Sequence, residues 1–319
     1  MILSRYAELV EPRKVVLKEE QIDCTENDML VRITHCGLCQ YDGSYFKGAI
    51  GTPPQRLGHE PVGIVEKVGR NVTSFQPGDC VTGLFGHLRA FATHCVAEPA
   101  LAIRVPQGIP PRLAIGEPLK CISTIARAAN PEFGDNVLVM GTGFMGLLVV
   151  ASLRGSAAGL LIAADIADDR LALAREFGAT HALRSDDPHF LEKIRELTAG
   201  HGIDVAVEVV GLPGPAELAA KTLRRSGRPR YVLAGWHGQP GILTLRTWTT
   251  VGAEIRSAHP SWSLDPMDDL RRALDALARG VFPMSRLVTH AFPLSRIQEG
   301  LETMVGGTRG YIKGVIEME

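Results

Sequence analysis

The sequence predicts an α/β chain in two unlike parts, a β-rich first third and a doubly wound parallel sheet in the middle. Three observations carry that prediction. Residues 1 to about 115 are rich in glycine, proline and β-branched residues, and short alternating runs (Met29–Thr34, Val62–Val68) are broken by turn chemistry such as Thr52-Pro-Pro54 and Gln76-Pro-Gly-Asp79. From about residue 119, apolar runs (Asn136–Met140, Leu160–Asp165, Asp204–Val209, Arg230–Ala234) alternate with helical stretches (Asp168–Phe177, His189–Thr198), the rhythm of parallel βαβ units. After about 257 the rhythm stops. A helical segment (Asp265–Arg279), a strand-like His290–Pro293, a helix near Ser295–Val305 and a terminal strand Tyr311–Ile316 are expected to return to the first part. The expected division is therefore 1–118, 119–257 and 258–319.

Composition narrows the function. The chain has 319 residues, about two domains at roughly 150 residues each. Its 45% apolar content supports a large core and excludes a disordered chain. Thirty-four Lys and Arg against 35 Asp and Glu leave a net charge of −1, so no global field draws nucleic acid or an anionic membrane, and a small-molecule partner is expected. The longest apolar runs, Leu147–Leu153 and Leu160–Ala164, fall far short of the roughly 20 residues of a membrane helix. The start is broken by Arg5, Glu8, Glu11, Arg13 and Lys14, which argues against a secretory signal. A cytoplasmic location is expected, with the six cysteines as thiols, some of them metal-bound. Arg224, Arg225, Arg228 and Arg230 read as a solvated turn between helix and strand.

The strand Val137–Met140 runs into Gly141-Thr142-Gly143-Phe144-Met145-Gly146 and then an apolar helical stretch. In such a turn the first glycine allows the tight bend, the second lets backbone approach a pyrophosphate, and the third lets the helix pack on the strand. The helix N-terminus then faces the negative charge with free amides. A second strand ends at Asp165, nineteen residues after Gly146, where a carboxylate would accept ribose hydroxyls and repel a 2′-phosphate. NAD is therefore expected over NADP.

Nearer the N-terminus stands His35-Cys36-Gly37-Leu38-Cys39-Gln40-Tyr41-Asp42, and twenty residues after Cys39 comes His59, followed by Glu60. A thiolate, an imidazole and a carboxylate in glycine-flanked loops are the ligand types of a catalytic zinc with one open position. Cys36 and Cys39 have no second Cys-x-x-Cys pair downstream, so a four-cysteine structural site has no support, and Cys36 is expected to be a structural thiol.

Read in order, these pieces resemble the medium-chain, zinc-dependent alcohol and polyol dehydrogenase family. The resemblance runs through Gly37–Asp42, Gly58–Gly63, Pro77–Val81, Glu117–Leu119, Gly141–Gly146, Asp165, Arg170–Ala179 and Gly202–Gly211. It implies a GroES-like catalytic domain built from both ends of the chain, with a Rossmann domain between them. It makes Cys39 and His59 zinc ligands, places Asp42 behind the His59 ring, and offers Glu117 or Glu60 as the third ligand. Gln40 and Lys313 fall at positions resembling the family's pyrophosphate contacts, and Arg170 joins the candidate cofactor residues. The family's four-cysteine lobe is missing between Val81 and Ala92, so one zinc per chain is expected. Where the family commonly has Ser or Thr and then His for proton transfer, this chain has Tyr41 and Ser44.

The implied activity is hydride transfer between NAD(H) and a secondary alcohol or ketone, with zinc as the Lewis acid. Glu117, with the polar candidates Tyr41, Ser44, His87 and Lys120, favours a polyol, sugar, cyclitol or amino alcohol. Lys120 itself is expected to pair on the surface. The alternatives are a non-catalytic dinucleotide-binding protein and a zinc-free quinone or enoyl reductase of the same superfamily. The family also implies a homo-oligomer, dimer or tetramer.

Overall fold

The computed structural model describes residues 1–238 and 240–319, which form two compact units. The first unit comprises Met1–Lys120, Leu270–Gly280 and Met284–Glu319; the second comprises Cys121–Asp269 and Val281–Pro283. In chain order the first holds β1 (Ile2–Glu11), β2 (Lys14–Ile22), β3 (Met29–Gly37), α1 (Gln40–Phe46), β4 (Gln55–Arg56), β5 (Pro61–Val68), β6 (Cys80–Gly83), β7 (His94–Ala97) and β8 (Ala102–Arg104). Helix α2 (Gly116–Ala129) then carries the chain into the second unit.

The second unit alternates strand and helix: β9 (Asn136–Met140), α3 (Phe144–Leu153), β10 (Leu160–Asp165), α4 (Asp168–Glu176), β11 (His181–Arg184), α5 (Phe190–Leu197), β12 (Val205–Glu208), α6 (Pro213–Thr222), β13 (Arg230–Leu233), α7 (Leu245–Val251) and β14 (Glu254–Ser257). The chain closes with α8 (Pro266–Ala278), α9 (Met284–Leu287), β15 (Val288–Pro293), α10 (Ile297–Val305) and β16 (Lys313–Glu317).

Two sheets build the first unit. β2, β1 and β4 form one, and the other runs β15-β16-β3-β5-β6-β8 with β7 also paired to β3. Leu9, Met29, Ile33 and Ile316 from the strands pack with Phe46 of α1, Leu301 of α10 and the loop residue Phe91 in one core. The second sheet also determines where the chemistry lies. β3 is antiparallel to both neighbours, with Cys36 opposite Pro61 of β5 and Gly37 opposite Val315 of β16. The end of β3 and the starts of β5 and β16 therefore meet at one edge.

The second unit is a six-stranded parallel sheet in the order β11-β10-β9-β12-β13-β14. Its central strands are covered on both faces, so Val137–Met140 of β9 and Val205–Val207 of β12 are consecutive buried apolar residues. Leu138, Ile162, Phe190, Ile194, Ala206 and Tyr231 anchor one of its faces.

β14 pairs with β13 from Glu254 to Ser257 and completes the sheet within the expected 119–257 segment. The chain then stays with this unit to Asp269. That carboxylate is fully buried and held by Arg127 at 2.6 Å, Ser263 Oγ at 2.6 Å and Thr124 Oγ1 at 3.3 Å. The arginine turn is only partly solvated: Arg224 pairs with Asp204, and Arg230 donates to the carbonyls of Ala129 and Asn130.

Candidate functional site

Cys39, His59 and Glu60 each offer one donor atom, and these atoms lie within 4.8 Å of one another. The strand ends described above bring them together. Cys39 stands two residues past β3, at the residue preceding α1, while His59 and Glu60 immediately precede β5. Four donors at zinc bond lengths would sit roughly 3.3–3.8 Å apart in a tetrahedron, so slight closure of the three would seat one ion.

Asp42, fully buried on α1, fixes the loop and the ring together. Its Oδ1 accepts the Gly58 amide at 2.8 Å, and its Oδ2 lies 3.2 Å from His59 Nδ1 as an ion pair whose alignment falls short of a directed hydrogen bond. Nε2 is then the ring atom open to a metal. Gly58 adopts φ +92° there, and a Cβ would lie 2.5 Å from the Phe91 amide nitrogen, so the position excludes a side chain. Burial disfavours charge on His59, but Asp42 and then Cys39 outweigh it and hold its pKa well above the usual imidazole range.

Glu60 is almost fully buried; its Oε1 accepts a hydrogen bond from Lys313 Nζ at 2.8 Å, and its Oε2 lies 2.6 Å from the same nitrogen as an ion pair short of a directed hydrogen bond. Burial opposes the Lys313 charge, while Glu60 and Cys39 outweigh it and raise its pKa. Lys313, the first residue of β16, thus stands in the first unit with its ammonium on Glu60, a contact that nothing in the sequence suggested. Gly37 makes the space: a Cβ there would sit 1.8 Å from Glu60 Oε2.

A metal would take Cys39 as thiolate and His59 as neutral imidazole, and in that state the cluster holds three anions (Cys39, Asp42, Glu60) against one cation, Lys313. Its net charge of about −2 in a largely buried setting calls for a divalent cation, since unpaired buried charge is costly. The donor set and the charge therefore fit zinc.

The other candidates divide. Glu117 lies outside the cluster, with Oε1 2.9 Å from Lys120 Nζ. Lys120 is 5% exposed, so the expected surface pair is a buried one, because α2 begins inside the unit rather than on its rim. Tyr41 turns its ring edge-on to His59, with centroids 5.5 Å apart, and shares a 3.1 Å hydroxyl contact with Tyr45. That contact and burial push the Tyr45 phenol up to about 12. Tyr45 was missed, although its spacing four residues from Tyr41 on a helix is the signal that finds it. The Ser44 hydroxyl donates to the Gln40 carbonyl at 3.0 Å, so its proton is committed to its own helix. Gln40 is exposed at the start of α1. Cys36 is buried, and desolvation raises its thiol pKa well above the ordinary value, which makes it inert. A 360 Å³ cavity, lined by Arg56, His87 and Arg89 among others, reaches this region at His87, whose ring stacks 6.4 Å from Tyr41.

In the second unit the glycine turn has the geometry its sequence implies. Gly141 takes φ +97°, a Cβ on Gly146 would lie 1.8 Å from the Gly141 carbonyl oxygen, and Gly143, just before α3, faces open space. Thr142, Phe144 and Met145 complete the turn, and among the described residues the buried Thr142 Oγ1 has no hydrogen-bond partner. Asp165 closes it: Oδ2 accepts the Thr142 amide at 2.6 Å, and Oδ1 accepts the amides of Ile166 and Ala167 at 2.8 and 3.0 Å. A carboxylate offers about four lone-pair sites, so three amides leave room for about one ribose hydroxyl. Arg170 is half-buried on α4, five residues further on. Glu208, which the sequence reading passed over, is fully buried at the end of β12 and bound to His237.

Residues 25–107 match the family model of the alcohol dehydrogenase GroES-like domain, and residues 145–279 match that of zinc-binding dehydrogenase. The chain is 25% identical to an L-threonine 3-dehydrogenase of Paraburkholderia phymatum, over 94% of this chain and 95% of that protein. It is 26% identical to an alcohol dehydrogenase of Cupriavidus necator, over 99% of both. A crystal structure of a putative zinc-binding dehydrogenase from Sinorhizobium meliloti, bound to NADP, superposes with a TM-score of 0.88 at 22% identity, covering 99% of this chain and 100% of that one. Among the described residues no helix is long and apolar enough to cross a membrane.

Proposed function

The chain belongs to the medium-chain, zinc-type alcohol dehydrogenase family of oxidoreductases, and from that premise we propose that it transfers a hydride between NAD(H) and a secondary alcohol or ketone. The substrate class is a polyol, sugar, cyclitol or amino alcohol. Convergence of Cys39, His59 and Glu60 within 4.8 Å, around an imidazole backed by a buried Asp42, is the observation that carries this reading.

Cys39, His59 and Glu60 would hold one zinc ion, with Asp42 fixing the His59 ring and Lys313 balancing the Glu60 charge. Glu60 is the proposed third ligand because it lies in the cluster, whereas Lys120 ties down Glu117. Bound there, zinc supplies Lewis acidity that eases loss of the alcohol proton. Tyr41 Oη would accept that proton as it gives its own to Tyr45 Oη, 3.1 Å away, while the partly exposed Tyr45 releases its proton to solvent, and Ser44 takes no part. A bound nicotinamide dinucleotide would supply the hydride acceptor. The amides of Gly141–Gly146 at the start of α3 would receive its pyrophosphate, and Asp165 would select NAD by accepting a ribose hydroxyl.

The active form is proposed to be a homo-oligomer, dimer or tetramer. Its six cysteines, all free, suit a reducing cytoplasm. The test is metal analysis joined to an absorbance screen at the reduced-nicotinamide band with polyols, sugars and amino alcohols. About one zinc per chain with NAD-linked turnover is expected. Turnover by zinc-free protein would overturn the mechanism, and no dinucleotide binding at all would overturn the activity.

A further inference from the structure

Two turns at the carboxyl edge of the parallel sheet are locked together. Gly211, after β12, has φ +78°, and a Cβ there would lie 2.4 Å from the Trp236 carbonyl oxygen; a Cβ on Gly235, after β13, would lie 2.3 Å from the Gly211 amide nitrogen. Neither position has space for a side chain. The close approach delivers His237 to Glu208, with Nε2 2.8 Å from Oε2. The Glu208 side chain is 0% exposed, and its other oxygen accepts the amides of Val210 and Gly211 at 2.7 and 2.8 Å. The ring is therefore held by an anchored acceptor, which assigns the proton to Nε2 and leaves Nδ1 as a hydrogen-bond acceptor. Among the described residues Nδ1 has no partner, and the His237 side chain is 31% exposed.

The strand order says what that nitrogen faces. In a doubly wound sheet of this order the dinucleotide lies across the carboxyl ends of the strands, one mononucleotide over each half. The Gly141 turn and Asp165 mark β9 and β10 as the adenosine side, and β12 and β13 lie on the other side of β9. The turn after β12 touches the glycine turn, since a Cβ on Gly141 would lie 2.6 Å from Val210 Cγ2.

We propose that His237, its tautomer set by Glu208, accepts a hydrogen bond from the carboxamide of the nicotinamide. A purely structural histidine would use its ring to satisfy Glu208 and nothing more. This one is partly exposed, polar on its free edge and follows β13, two strands from the pyrophosphate turn after β9. The proposal rests on the dinucleotide reading above.

The experiment uses the full chain and compares His237→Ala with wild type by fluorescence titration with three probes: NADH, ADP, and the reduced 3-acetylpyridine analogue, which lacks the amide donor. Loss of one hydrogen bond corresponds to about two- to tenfold in affinity. NADH is expected to weaken by about that factor, ADP to stay within twofold, and the analogue to bind wild type and variant alike. Glu208→Gln, which turns the ring to the other tautomer, is expected to reproduce the NADH loss while ADP binding is kept. Equal weakening of ADP and NADH, or equal NADH affinity in both proteins, overturns the proposal. Failure of wild type to bind NADH overturns the dinucleotide reading instead, so the two failures are distinct.

Discussion

Gly37→Ala tests the buried pair beside the metal cluster without removing any of its members. The new methyl carbon would start 1.8 Å from Glu60 Oε2 and 3.1 Å from the Glu60 Cβ. A comfortable carbon–oxygen contact needs nearly twice the shorter distance, so the carboxylate must withdraw by about 1.5 Å or rotate away. Either motion breaks the 2.6 and 2.8 Å contacts to Lys313 and moves the Glu60 charge away from a 5% exposed ammonium. Removing one partner of a buried pair costs about 3–5 kcal/mol; a displaced carboxylate keeps some attraction, so about 2 kcal/mol is expected. Loss of a well-placed metal-site carboxylate should also lower zinc affinity about 10- to 100-fold. The assay is competition with a chromophoric chelator, run beside urea unfolding. Glu60→Ala provides the control, because it removes the clashing oxygen: adding Gly37→Ala to it should cost far less than Gly37→Ala costs wild type. Wild-type zinc affinity and stability in Gly37→Ala would refute the packing argument.

Other perturbations separate the two sites. Asp42→Asn, which weakens the hold on His59 and Gly58, should lower zinc affinity about 10- to 100-fold in the same chelator assay, with NADH binding unchanged. Gly146→Ala places a methyl carbon 1.8 Å from the Gly141 carbonyl, so NADH titration should show binding lost while zinc content stays at the wild-type level. Ser44→Ala should retain kcat within about twofold, because the hydroxyl serves only its own helix; a tenfold loss in steady-state assays would place Ser44 in the proton path. Burial pushes the Cys95 thiol up to about 12 and raises Cys36 as well, so neither carries much thiolate at pH 8. Mass spectrometry after iodoacetamide treatment should therefore find both unlabelled in the native protein and labelled after unfolding.

Chemistry held within a few residues was legible in the sequence. The glycine turn and Asp165 are spelled by one βαβ unit, and Cys39, Asp42 and His59 stand on two short segments with recognisable ligand types. What was hidden depends on distant partners. Lys313 lies 253 residues from Glu60, and only the pairing of β16 with β3 and of β3 with β5 explains why they meet. The Glu208–His237 contact likewise depends on two turns packing together, each unremarkable alone. The stretch after β14 is tied to the second unit by Asp269, whose contacts with Arg127, Thr124 and Ser263 leave no periodic pattern in the sequence. Lys120 was placed on the surface by its charge, yet the Glu117 pairing lets it be buried.

The most direct test of the metal centre is the zinc content of wild type, Cys39→Ala and His59→Ala by elemental mass spectrometry, with NADH affinity measured on the same samples. About one ion per wild-type chain, near none in either variant and unchanged NADH affinity in all three is the expected result. Stoichiometric zinc in both variants, or wild-type alcohol oxidation by protein stripped of metal, would contradict it.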